Sequence, residues 1–254
     1  MVHLRPLPGS PRYGGEIDPV LEAAVADLAG LAQGGADGAI IENFGDAPFF
    51  PGSVPPVTVA AMTAAAVFLR AHAPKDFLLG INVLRNDAAA ALSIAAVSGA
   101  TFIRVNVHTG AVVADQGIIT GQAHETLRLR AALGKPIAIL ADVGVKHAVP
   151  LAARSIEEEA RDAAERGMAD AILVTGARTG EPVDREQLIS VRRAVPGVMV
   201  LCASGVDLDT VRVLEPHCDG FIVGTWLKRN GRLEEPIDVA RVRQMGQALG
   251  RRTG

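Results

Sequence analysis

Acidic, amide and imidazole side chains stand at the ends of short apolar runs in this chain, a placement suited to polar chemistry on a small molecule. Glu42 and Asn43 follow Gly38-Ala-Ile-Ile, and Asn82 follows Phe77-Leu-Leu-Gly-Ile. Arg104, Asn106 and His108 end the run that starts at Thr101. Asp142 ends Ile137-Ala-Ile-Leu-Ala, with Lys146 and His147 just beyond. A carboxylate whose pKa is raised by burial can take a proton from a substrate, so Glu42 and Asp142 are the expected bases. Lys146 and His108 complete the expected catalytic set. A desolvated lysine can form a Schiff base, but Lys146 sits in an expected loop and reads better as an anion contact. His3, Asn43, Asn82, Arg104, Asn106, Asp115 and His147 are expected to bind substrate. The plainer alternative is that Glu42 and Asp142 form structural ion pairs with Arg5, Arg104 or Lys146. These oxygen-rich residues could also accept Mg2+, but no fixed ligand spacing supports a metal, and no cofactor is expected.

The last three apolar runs end differently, in Thr175-Gly176, Ser204-Gly205 and Gly224-Thr225. Glycine lets backbone N–H groups approach an anion closely. One such turn is ordinary loop geometry; three at consecutive run ends point to a bound phosphate. The expected partner is therefore a small anionic or phosphorylated ligand. Cys202 ends an apolar run and reads as a small core residue. With Cys218 it follows no metal spacing, which fits a reduced, cytoplasmic protein.

The elements that carry these residues repeat. Segments starting near Asp37, Thr101, Asp170 and Asp219 each follow a possible helix end with a short apolar run. Further runs at 77–82, 137–142 and 198–202, and a first strand at Val2–Leu4, complete eight strands. Continuous apolar runs suit parallel strands buried on both faces. Helical patterns lie near 18–33, 58–72, 86–98, 122–133, 155–166, 184–194, 207–214 and 236–249. Asp18 with Glu22, Ser155 with Glu158, and Asp184 with Gln187 mark helix starts. Eight strand–helix pairs in 254 residues indicate a single (β/α)8 TIM-barrel domain over residues 1–254. An open doubly wound sheet is the rival, disfavoured by the lack of an early Gly-x-Gly-x-x-Gly. Residues 43–57 and 107–121 are expected as long loops over the C-terminal face, serving as a lid or, through Phe49 and Phe50, as an oligomer contact.

Composition removes other classes. The chain is 49% hydrophobic, 21% charged and only 4% aromatic, so its core is aliphatic. A net charge of -3 without a basic stripe argues against nucleic acid. Residues 47–69 carry no formal charge, yet Pro48, Pro51, Pro55 and Pro56 interrupt them, and no membrane span is expected. The first residues lack the apolar stretch of a signal peptide.

Together, Met1-Val-His-Leu-Arg-Pro-Leu-Pro-Gly-Ser-Pro11, Glu42-Asn-Phe-Gly-Asp46, Pro48-Phe-Phe, Arg104-Val-Asn106, Asp115-Gln-Gly117, Ala141-Asp-Val-Gly-Val-Lys-His147, Val174-Thr-Gly176 and Gly224-Thr225 resemble the BtpA family, also called BtpA/SgcQ. The resemblance covers almost the whole chain. Arg5 departs from the family pattern, which has a smaller residue or proline there. The resemblance implies a TIM barrel. It also implies ties to photosystem I biogenesis, for which the family is named, and to sugar metabolism in non-photosynthetic bacteria. Two readings stand. One is an enzyme acting on a phosphorylated sugar- or nucleoside-like metabolite by isomerisation, carbon–carbon cleavage or hydrolysis. The other is a non-catalytic assembly or stability factor acting through a surface. A homo-oligomer is expected, dimers being the commonest closed assembly.

Overall fold

The computed structural model describes residues 1–145, 147–176 and 183–250. Eight strands, β1 (Val2–His3), β2 (Gly38–Glu42), β3 (Leu78–Asn82), β4 (Phe102–Val105), β7 (Ala138–Val143), β9 (Ala171–Val174), β10 (Met199–Cys202) and β11 (Gly220–Phe221), hydrogen-bond in that order. Every pairing in the sheet is parallel. The terminal nitrogen of Met1 donates to Val223 O at 3.0 Å, so the first and last strands meet and the sheet curls into a barrel. Helices α1 (Asp18–Gln33), α2 (Pro56–His72), α3 (Ala88–Ser98), α4 (Ala123–Leu133), α5 (Ile156–Arg161), α6 (Arg185–Ala194), α7 (Leu208–Leu214) and α8 (Val239–Ala248) wrap the outside. Among the described residues no helix is long and apolar enough to cross a membrane.

Alternation along each strand divides the core. Ile103, Ile139, Ile172 and Val200 pack outward against the helices. Leu140, Ala171, Leu173 and Ala203 form a separate cluster with Phe102, the barrel interior. Phe102 fits there because Gly80 faces it: a Cβ on Gly80 would lie 2.1 Å from the ring. One layer above, the same alternation turns Glu42, Asn82, Arg104 and Asp142 inward, where a packed core gives way to a polar floor.

Two of the three expected helix starts hold. Ser155 and Glu158 form a reciprocal capping box on α5. Asp184 caps α6 through the Glu186 amide at 2.8 Å, not through a box with Gln187. Asp18 is corrected: it is the first helical residue of α1, the capping position is Ile17, and no side chain caps there. Proline at the second position needs no such bond, since it has no N–H to satisfy.

The segment 107–121 is also corrected, from loop to hairpin. β5 (Ala111–Ala114) and β6 (Gly117–Thr120) pair antiparallel, and β8 (Ala148–Pro150) joins β5 to make a three-stranded sheet. Val112 and Ile119 point in and are buried, while Val113 and Ile118 point out. Gly117, at φ +100, lets the chain reverse after Asp115-Gln116. The other expected loop forms one short helical turn, Phe44–Asp46, before α2 begins at Pro56.

A buried ion pair fastens the outer ring. Lys228 donates its Nζ to Asp27 of α1, whose other oxygen accepts the Ile237 amide at 2.8 Å.

Candidate active site

A cavity of about 600 Å3 opens at the C-terminal ends of the barrel strands. Its floor is an ion pair. Arg104 grips Asp142 with two parallel bonds, Nε to Oδ1 and Nη2 to Oδ2, each 2.9 Å. Asn106 adds a third, Nδ2 to Oδ2 at 2.8 Å. Burial alone would push the Arg104 guanidinium down, but the charge and hydrogen bonds of Asp142, with help from Glu42, raise it above its ordinary value. Asp142 is thus spoken for, which matches the plainer reading of it as half of an ion pair.

Glu42 stands differently. Asn82, its neighbour in the β2–β3 register, donates Nδ2 to Oε2 at 2.5 Å. Oε1 lies 3.7 Å from His3 Nε2. The His3 ring stacks tilted on Phe44, with centroids 4.9 Å apart. It also borders the glycine turn of the last strand: a Cβ on Gly224 would lie 3.5 Å from His3 Cε1. His3 therefore sits between the Glu42 carboxylate and that turn.

Ser204, Gly205, Gly224 and Thr225 all line the same cavity, on the β10 and β11 side. Gly205 adopts φ +57, open to glycine at little cost. The hairpin closes part of the mouth, with Asp115 and Gln116 at its tip facing in. His147 also borders the cavity and holds φ +54, a left-handed conformation that a side chain adopts only at a cost.

Eleven of the residues singled out from sequence border one cavity: His3, Glu42, Arg104, Asn106, Asp115, Asp142, His147, Ser204, Gly205, Gly224 and Thr225. Asn82 supports Glu42 from beneath. Asn43 is a strut: its Oδ1 accepts the Leu84 amide at 2.7 Å and its Nδ2 reaches Asp46 at 3.2 Å. Asp46 in turn holds the Leu7 amide at 2.8 Å, binding three loops together. Thr175 turns away, donating Oγ1 to Gly144 O at 2.6 Å, and Gly176 is buried beside it; neither borders the cavity. Lys146 lies outside the described residues. Arg85 borders the cavity and was not singled out from sequence. It stands three residues past the end of β3, and the chain returns there because its amide donates to Phe50 O at 3.0 Å. Burial lowers the Arg85 pKa, against the charges of Asp142, Asp115 and Glu42. Among the described residues no three His, Cys, Asp or Glu side chains gather as a metal site.

His108 is buried away from the cavity. Its Nε2 meets Gly167 O at 2.8 Å, which makes Nε2 the protonated nitrogen, and Nδ1 has no partner. Burial lowers its pKa; the Gly167 bond opposes this and the Arg130 charge adds to it. The folded ring therefore stays neutral at pH values where the unfolded ring, with pKa about 6.5, gains a proton. Stability from this site is full above about pH 6.5 and falls as pH drops, by about 1.4 kcal/mol per unit until the folded ring titrates. Urea unfolding at pH 7.5 and 5.5 is expected to show a smaller loss in His108→Gln than in the parent. Equal losses would mean that His108 does not carry the dependence.

A family model described as the BtpA family matches residues 1–251. The photosystem I biogenesis protein BtpA of Synechocystis sp. is 47% identical over 98% of this chain and 86% of its own length. An uncharacterized protein of Pyrococcus furiosus is 46% identical over 96% of this chain and 90% of its own. Among solved structures, phosphoribosyl anthranilate isomerase from Thermus thermophilus matches with a TM-score of 0.55 at 13% identity, over 89% of this chain and 94% of that one. KGPDC from Streptococcus mutans matches with a TM-score of 0.56 at 13% identity, over 91% and 92%. At such identities the likeness is one of fold, and the fold is the TIM barrel.

Proposed function

This chain belongs to the BtpA family, and from that premise we propose that it is an enzyme moving a proton on a phosphorylated, sugar- or nucleoside-like metabolite. One observation carries the reading: a single cavity holds a buried carboxylate, an imidazole beside it, and two glycine–hydroxyl turns beyond the imidazole. Glu42 is the acid/base group. Asn82 fixes one of its oxygens, leaving the other directed at His3. Ser204, Gly205, Gly224 and Thr225 hold the phosphate, at the strand ends where barrels of this kind often bind one. Asp142, paired with Arg104 and holding the Asn106 amide, is the support of the site and not its acid/base group. The isomerase neighbour has a phosphoribosyl substrate by its name, but the phosphate assignment rests on this chain's own turns.

Thr225→Asp tests it. Thr225 is half-buried and begins a short helical turn, where aspartate is well tolerated. A carboxylate about 5 Å from a phosphate repels it by a few kcal/mol at an effective dielectric near 20. Affinity for ribose 5-phosphate, measured by calorimetry, is expected to fall on the order of a hundredfold. An unchanged affinity would move the phosphate elsewhere.

A second reading, a non-catalytic assembly factor, is favoured by one feature. The outward face of the hairpin sheet exposes Val113, Ile118 and Val149 in a single cross-strand row, the kind of apolar patch that meets protein partners. Wild-type protein that binds no phosphate ester would shift the balance to it.

A further inference from the structure

Arg85 brings a positive charge to the wall of the main cavity from the segment after β3. That segment is fastened at four successive residues. The Leu84 amide donates to Asn43 Oδ1 at 2.7 Å, and the Arg85 amide donates to Phe50 O at 3.0 Å. The Asn86 side chain binds Val107 both ways, accepting its N–H at 2.8 Å and donating to its carbonyl at 2.9 Å. Asp87 accepts the Val54 amide at 2.8 Å and caps α3 through the Ala90 amide at 2.9 Å. These bonds tie the segment to the chain after β2 and after β4. The backbone that carries Arg85 is therefore fixed before any ligand arrives.

Its place in the ring matters as much. Arg85 follows β3, whereas the two glycine–hydroxyl turns follow β10 and β11. Counted round the closed barrel, β3 and β10 stand four strands apart in either direction. Arg85 thus lies across the mouth from the turns assigned to phosphate.

Arg85 is 9% exposed and borders the cavity, so its charge is largely out of water yet within reach of a ligand. Asp142, Asp115 and Glu42 act on it through space. Each also answers to another group: Asp142 to Arg104, Glu42 to Asn82 and His3, and Asp115 to the Gln116 amide at 2.7 Å. Burial outweighs their combined effect. An anion entering the cavity would oppose that penalty. A guanidinium suits a carboxylate or phosphate because its fork of N–H groups meets two oxygens at once.

We propose that Arg85 binds a second anionic group of the ligand, a carboxylate or a phosphate, at the end opposite the phosphate held by the β10 and β11 turns. The ligand class is then a doubly anionic sugar phosphate, either a bisphosphate or a phosphorylated sugar acid. The assignment rests on the phosphate site proposed above.

Calorimetry with ribose 5-phosphate, ribulose 1,5-bisphosphate and 6-phosphogluconate tests it. The last two carry a second phosphate and a carboxylate, so the arms tell the two anions apart. At least one of them is expected to bind about tenfold or more tightly than ribose 5-phosphate, as a hydrogen bond between charged groups implies. Arg85→Met, which keeps the length and removes the charge, is expected to bring that ratio close to one. Should Arg85→Met fail to fold, Arg85→Gln, which keeps an N–H donor, decides in its place. Equal affinities in the wild type overturn the second anion site and leave the phosphate site standing. A ratio that survives loss of the Arg85 charge places the second anion elsewhere and overturns it too. Binding of none of the three removes the phosphate reading and the Arg85 assignment together.

Discussion

Replacing Arg104 with methionine will lower the stability of the folded chain by about 3–5 kcal/mol, the usual cost of removing one partner from a buried ion pair. The two side chains are 6% and 1% exposed, so water cannot take over the role of the guanidinium. Asp142 would keep only the Asn106 amide against a charge that the fold has taken out of water. The companion expectation is a rescue. Arg104→Met combined with Asp142→Leu replaces both charges with apolar groups, and such replacements are often close to neutral. Most of the loss in the single variant should therefore return in the double one, a coupling that a double-mutant cycle in urea reads directly. A single variant that loses less than about 1 kcal/mol would mean that the pair behaves as an exposed salt bridge. Asp142 could then no longer be treated as neutralised.

The barrel was legible because strand and helix periods alternate along the chain, and because the strand ends carry polar residues at matching positions. Glu42 and Asn82 close adjacent runs, and their bond is a direct consequence of parallel register. What spacing along one strand cannot tell is where the chain turns after the strand ends. Asn106 faces the cavity, whereas His108, two residues on, has left the barrel axis for the Gly167 carbonyl. Thr175 closes its run as Asp142 does, but bonds sideways to Gly144. Arg85 escapes a strand-end reading for the opposite reason: it lies beyond its strand, and a contact with the distant Phe50 carbonyl brings it back. The hairpin over the mouth alternates Val112 and Ile119 against Val113 and Ile118. Gly110, Gly117 and Gly121 make so short an alternation look like loop. Partner choice across strands separated Glu42 from Asp142, and that choice is not written in either residue's local sequence.

This separation sets the remaining expectation. If the chain is the enzyme proposed above, Glu42→Gln will reduce kcat by a factor on the order of 10²–10⁴, the contribution of a positioned acid/base group. The fold should lose little. Glutamine keeps the shape, and its carbonyl oxygen can accept the Asn82 bond that Oε2 receives now. Affinity for ribose 5-phosphate should persist, because the turns proposed to hold the phosphate lie on β10 and β11, across β1 from Glu42. Asp142→Asn makes the opposite case. It removes the negative charge that Arg104 requires, so its main effect should be on stability, with turnover falling as the folded fraction falls. The measurement is turnover of the tightest-binding sugar phosphate, followed by proton NMR, beside urea midpoints for each variant. If Glu42→Gln turns over normally while a stably folded Asp142→Asn does not, the two carboxylates have exchanged roles. The Arg104 pair would then be the reacting centre and not its support.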